Sequence, residues 1–145
     1  MVILFGLGAP AHAQLQAGPA KVAATCWGNT CAGKDPNATG CSADMQSPAD
    51  YQYVDYVGSH DFLVRLSYSP ACNASWTDVH EINSGDCTFS GEIWHEGLTP
   101  AGTRTRTASV FDGYSCAVYT VMMSRVGKSV RACSHMSNTY CTRWL

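Results

Sequence analysis

The strongest pattern along the chain is an alternation of apolar and polar positions. From Asp61 to Ser69, Phe62, Val64, Leu66 and Tyr68 fall on one face, and Leu63, Arg65 and Ser67 on the other. A period of two is that of a β-strand half-buried against a core. Gly91 to Gly97 repeats it: Glu92, Trp94 and Glu96 share one face and Ile93 points the other way. Thr103 to Val110 is rich in β-branched residues, with Arg104 and Arg106 on a common face, as charges often sit on an edge strand. Tyr114 to Val126 is the most apolar run and predicts a central strand buried on both faces. Val126-Gly127-Lys128 then predicts a turn into a strand over Ser129 to Met136, closing a hairpin. Helical spacing is weak, and residues 42–50 predict at most one short helix with Ser42 as N-cap. Short strands spaced by turns predict an all-β fold, a small antiparallel β-barrel or sandwich.

Upstream of the strands the character changes. Cys26 to Cys41 is dense in Gly, Pro, Asn and Asp, which mark turns for separate backbone reasons. Earlier still, the apolar run Val2–Leu7 precedes the small-residue site Ala11-His12-Ala13, the pattern of a secretory signal and its cleavage site. The usual basic flank is missing, so residues 1–13 read as a truncated signal peptide. Residues 14–25, rich in Ala, Gln and Gly, read as a loose leader, and 26–145 as a single disulfide-rich domain. The apolar run is shorter than the roughly 20 residues that span a bilayer. The expectation is a secreted, extracellular protein with no membrane span.

Composition sharpens this picture. Only 14% of the 145 residues are charged, against about 25% in an average globular protein. A sparsely charged domain of this size often needs covalent help, and the eight cysteines form an even set that predicts four disulfides. Cys31–Cys41 is the expected bridge across the turn-rich loop containing Pro36. Cys26, Cys72, Cys133 and Cys141 allow Cys26–Cys72 with Cys133–Cys141, or a crossed pairing. Net charge is −2, too mild to suggest nucleic acid. Its distribution is uneven: residues 14–99 carry a net −7 and residues 100–145 a net +5. In one compact domain the two halves are expected to face each other and partly neutralise, and a basic face for an anionic partner is the alternative.

Three stretches carry a resemblance. They are Cys26-Trp-Gly-Asn-Thr-Cys31-Ala-Gly-Lys-Asp-Pro36 with Thr39-Gly40-Cys41-Ser-Ala-Asp44, then Leu66-Ser-Tyr68-Ser-Pro70-Ala-Cys72-Asn-Ala-Ser-Trp76, and Val130-Arg-Ala-Cys133 with Cys141-Thr142. Together they resemble the YjfA-like family of small secreted bacterial domains, commonest in actinobacteria, over roughly residues 26 to 144. The resemblance implies a disulfide-bonded extracellular domain and brings no established activity, cofactor or catalytic residue. Six cysteines fall in the family-like motifs. Cys87 and Cys116 are additional to it and are expected to pair with each other.

Candidate chemistry is thin. The dipeptides His60-Asp61, His80-Glu81 and His95-Glu96 bear groups suited to zinc or acid–base work. Adjacent strand residues point to opposite faces, however, so no dipeptide chelates alone. Neither H-E-x-x-H nor G-x-S-x-G occurs. Asp35-Pro-Asn37-Ala-Thr39-Gly40 imitates the start of a calcium loop, but Gln46 stands where the closing Glu would be, and an Asx-rich turn is the expectation. Asn37-Ala-Thr39 and Asn73-Ala-Ser75 are glycosylation sequons, relevant only in a eukaryotic host. No catalytic residue, metal site or cofactor is expected.

The aromatic load is heavy, with four Trp and seven Tyr. Such residues dominate binding hot spots. Trp76, beside Cys72, is expected to fill the core. Trp94, flanked by Glu92 and Glu96, is the expected exposed contact, with Arg104 and Arg106 completing a candidate binding face. Those arginines could instead lie across from the glutamates and sandwich the ring. The function expected is a non-enzymatic interaction domain for another secreted protein. A cell-surface glycan binder comes second, and a small hydrolase or toxin third. Exposed aromatics over a shallow groove would favour the glycan, an open sheet edge the protein partner.

Overall fold

A computed structural model describes residues 23–83, 85, 87, 89–108, 110–113 and 115–145. Residues 1–13, most of the 14–25 leader, and Tyr114 lie outside the described residues. Among the described residues, three 3-10 turns, Gly28–Cys31, Cys41–Asp44 and Ala49–Tyr51, lead into ten strands. These are β1 (Gln52–Val57), β2 (His60–Ser69), β3 (Ala74–Glu81), β4 (Phe89–Leu98), β5 (Arg104–Arg106), β6 (Val110–Gly113), β7 (Ala117–Tyr119), β8 (Met123–Ser124), β9 (Ser129–His135) and β10 (Thr139–Cys141).

They form two antiparallel sheets. The first runs β1-β2-β3-β7, with β8 also on β3; the second runs β10-β9-β4-β5, with β6 also on β4. The alternation in β2 explains their stacking. Phe62, Val64 and Leu66, joined by Val79 from β3, meet Phe89, Ile93, Val130 and Ala132 of the second sheet. Each of these side chains larger than alanine contributes about 1.5–3 kcal/mol on removal from water. Gly97 lets the sheets close: a Cβ there would stand 2.5 Å from Met123 Sδ.

The far side of the first sheet is covered as well. Cys26, Cys31, Cys41, Cys72, Ala74, Trp76 and Met122 make a second buried cluster, so the turn-rich segment lies over the sheet as a third layer. It is fastened by a two-way backbone bridge between Gln46 and Tyr68. The Asp44 carboxylate also accepts from the Ser69 hydroxyl and from the Ala71 N–H.

The fold corrects several expectations. The 42–50 helix is two separate 3-10 turns, and Gly40 in the left-handed region, not Ser42, precedes the first. The Tyr114–Val126 run is no single central strand. It splits into β7 and β8 because Thr120 N–H bonds to Thr77 while Met122 N–H bonds to Lys34 of the N-terminal layer. The central position of the first sheet belongs to β3, buried from Ala74 to Val79. The turn at Val126–Lys128 closes no hairpin: β8 pairs with β3, and β9 with β4 and β10. Arg104 and Arg106 do lie on an outer strand, exposed.

The disulfides are Cys26–Cys31, Cys41–Cys72, Cys87–Cys116 and Cys133–Cys141. Cys87–Cys116 is the pair expected, and Cys133–Cys141 is one of the alternatives the sequence left open. Cys31–Cys41 and Cys26–Cys72 are replaced, because the four N-terminal sulfurs converge on one spot and each of those cysteines takes a different member of that group.

Candidate functional site

The Glu92, Trp94 and Glu96 face is a filled surface. Strand pairing sets Glu96 opposite Arg106 and Leu98 opposite Arg104. Arg106 covers the Trp94 ring at 4.0 Å and pairs with Glu92. Trp94 N–H donates to Glu96 Oε1 at 2.9 Å, and Arg131 holds Glu96 Oε2 at 2.6 Å while lying 4.5 Å from the Trp144 ring. Burial raises the Glu96 pKa, but the Trp94 hydrogen bond and the Arg131 and Arg104 charges outweigh it, so the carboxyl sits below its ordinary value. Trp94, expected to be exposed, is only 6% so. The reason is the sandwich: side chains that share a face by alternation also bring their countercharges across the ladder. The exposed tryptophan is Trp27, at 59%.

The expected neutralisation between the halves of the chain is visible here. Arg106–Glu92, Arg131–Glu96 and Arg143–Asp50 each join a basic residue after position 100 to an acidic one before it.

The histidines of the described strands do not converge. His60 Nδ1 meets Glu81 at 2.7 Å; His80 Nε2 meets Asp78, which also holds Arg65 at 2.6 Å. Burial raises the Asp78 pKa, but the His80 hydrogen bond and charge, with Arg65, bring the net value below the ordinary one. His95 is fully buried between the sheets, 2.8 Å from Ser75 Oγ, and desolvation with Arg125 nearby lowers its pKa to about 3. Among the described residues, no cluster of three potential metal ligands includes a histidine. Asp35 accepts from the Asn37 and Ala38 N–H groups and from Tyr119, so the calcium-like stretch is an Asx turn.

A more open site lies where the two sheets end side by side. Outer strands β1 and β10 flank a groove of about 620 Å³. One wall is Asp50 and the five consecutive residues Gln52 to Tyr56; the other is Ser137, Asn138 and Tyr140 to Arg143. Tyr56 is 67% exposed and Tyr140 48%. Beneath them the walls are locked together. The Tyr53 hydroxyl meets Ser134 Oγ at 2.6 Å and the Tyr140 carbonyl at 3.0 Å, and its ring packs 5.9 Å from that of Tyr140. Burial, with the Asp55 charge, pushes the Tyr53 phenol above its ordinary value. Asp55, 2% exposed, accepts from Ser134 and Ser137 and so ties β1 to the second sheet. Sequence reasoning missed this groove. Its signal was the concentration of three of the seven tyrosines within residues 51–56.

These features define a small all-β domain of two antiparallel sheets, closed by disulfides and carrying an edge groove. A family model described as "Protein of unknown function (DUF2690)" matches residues 29–133, and the chain belongs to that family. No curated protein and no solved structure matches it. No helix among the described residues is long and apolar enough to cross a membrane.

Proposed function

We propose that this is a secreted, non-enzymatic interaction domain that takes an extended segment of a partner protein into the groove between β1 and β10. The observation behind this reading is the lining of the groove by five consecutive residues of an outer strand. Side chains alternate on a strand, so five in a row can line one groove only if the backbone edge lies along it. An outer strand offers main-chain donors and acceptors to an added strand, while flanking side chains read the guest. Tyr56 and Tyr140 supply apolar faces with polar tips beside that edge. Export is supported by the four disulfides, which persist in oxidising compartments, and by the resemblance to YjfA-like secreted bacterial domains.

The same two rings favour a second reading, a cell-surface glycan lying across the tyrosines. One experiment separates the two. A photo-crosslinking residue is placed at Tyr56 and the domain is incubated with culture supernatant and cell-wall material. Crosslinking to one stretch of one protein, with a synthetic peptide of that stretch binding the wild-type domain, supports strand addition. Retention of polysaccharide alone overturns it in favour of the glycan.

A further inference from the structure

The N-terminal cysteines carry an inference independent of the groove. Cys26 precedes the first 3-10 turn, Cys31 ends it, Cys41 begins the second and Cys72 lies in the turn between β2 and β3, yet their four sulfurs all lie within 4.8 Å of one another. Cys26 Sγ stands 3.7 Å from Cys41 Sγ, across the gap between the two bridges. Cys31, Cys41 and Cys72 are wholly buried and Cys26 is 8% exposed. A zinc ion bound by four thiolates at about 2.3 Å sets its sulfurs about 3.8 Å apart, at the corners of a tetrahedron. The non-bonded contact already has that length, and small side-chain rotations would open the two bonded pairs to match. An outer partner is also in place: the Thr39 hydroxyl, 6% exposed, lies 3.2 Å from Cys41 Sγ. Hydrogen bonds of this kind orient ligands and tune a metal site.

We propose that, when its two bridges are reduced, this cluster binds one zinc ion as a closed tetrathiolate. The same four cysteines would then fasten the N-terminal layer to the sheet in either redox state. In the reduction, each bridge takes two electrons and two protons from one dithiol, which leaves as its own disulfide, and two thiols result. Zinc then replaces four S–H bonds by four Zn–S bonds, releasing four protons and leaving a net charge of −2 on the site. Thiolates are soft ligands, and a tetrahedral set of four sulfurs suits zinc. With no fifth group in the set, the site is structural.

The test uses the full chain, reduced with a dithiol, desalted without oxygen and offered zinc or cobalt(II). The expected result is one metal retained per chain, with a cobalt spectrum showing tetrahedral coordination by four thiolates. The double variant Cys26→Ser/Cys41→Ser should lose this uptake. Cys133→Ser/Cys141→Ser should keep it, which excludes the other close grouping, Glu96 with Cys133 and Cys141. Thr39→Val should weaken affinity by about 10- to 100-fold. Absence of stoichiometric metal in the reduced wild type overturns the proposal. So does a cobalt spectrum of fewer than four thiolates, a reading independent of whether any variant folds. Loss of uptake in Cys133→Ser/Cys141→Ser with retention in Cys26→Ser/Cys41→Ser moves the metal elsewhere and also overturns it.

Discussion

The outer face of the second sheet and the groove at the sheet edges use the same chemistry, an arginine, a carboxylate and an aromatic ring, and differ in how much water they admit. On the sheet face, Arg131 lies over Trp144 and grips Glu96, with side-chain exposures of 21% and 15% for the ion pair. At the groove, Arg143 lies 5.7 Å from the Tyr51 ring and meets Asp50, with exposures of 68% and 76%. Ladder pairing makes the difference. On the face, β5 and β9 hold countercharges on both sides of β4, so every carboxylate meets a cation and the ring between them is covered. At the groove, β1 and β10 are outer strands, and among the described residues no further strand closes over their tyrosines. A rich cluster of charge and aromatics is therefore a weak sign of a binding site until its partners are counted.

The comparison breaks most sharply at Trp94. If its role is structural, Trp94→Ala should cost about 3–5 kcal/mol, the usual range for truncating a buried tryptophan. Capture of a groove ligand, measured at a temperature where the variant is folded, should not change. A variant with wild-type melting behaviour and lost capture would return Trp94 to the binding surface. The next largest effect concerns Cys133–Cys141, which ties β10, one wall of the groove, to β9 beneath the closed face. Cys133→Ser/Cys141→Ser should cost about 2–4 kcal/mol. It should also weaken capture, because the Tyr140 wall would lose its anchor. Thermal melts and binding isotherms on the same samples read both quantities.

How far the sequence reveals this depends on where each residue finds its partner. β2 is legible because Phe62, Val64 and Leu66 meet a purely apolar neighbour across the core. β3 is not, although it is more buried, because Ser75 and Thr77 sit at its inward positions. They bond across to the second sheet, Ser75 to His95 and Thr77 to the Trp94 carbonyl, so no apolar alternation appears. The Trp94 face is half legible: alternation places Glu92, Trp94 and Glu96 together, and Arg104 with Arg106, but only register brings the two sets into contact. Loop length could not choose among Cys26, Cys31, Cys41 and Cys72, since all four sulfurs share one small volume. The groove is a product of tertiary stacking between two strand edges far apart in sequence.

Acid should expose what lies behind the closed face. Above pH 6.5, His95 is neutral in both folded and unfolded chains and its burial carries no proton penalty. Below that value the unfolded chain takes up a proton that the folded chain refuses until about pH 3. The unfolded state then binds more protons, so stability falls as pH falls, by up to about 1.4 kcal/mol per pH unit. Glu96 adds to this only lower down. Its pKa is depressed on folding, so its contribution is complete above its ordinary value of 4.5 and is lost as pH drops through the folded value. His95→Gln should flatten the stability curve between pH 6.5 and 4.5, while Glu96→Gln should change it only below that window. Denaturant melts across the range distinguish the two, and an unchanged slope in His95→Gln would remove the buried ring as the cause.

The smallest effects separate the two arginines. Arg131 is partly desolvated, makes two bonds to one carboxylate oxygen through Nε and its terminal nitrogen, and packs on Trp144. Arg131→Ala should cost roughly 1–2 kcal/mol, from a charge-assisted hydrogen bond and lost ring contact. Arg143 and Asp50 are so exposed that solvent screens their pairing, and Arg143→Ala should change stability by no more than about 0.5 kcal/mol. Its consequence belongs to binding, because Arg143 lines the groove. Removing a charge at the rim of an interface mainly alters the association rate and its dependence on salt. The expected pattern is therefore crossed: Arg131→Ala lowers the melting temperature at every ionic strength and spares the association rate, while Arg143→Ala does the reverse. Stopped-flow association with the groove ligand at low and high salt, beside thermal melts, measures both axes. Equal behaviour of the two variants would show that exposure does not divide these regions into a structural one and a binding one.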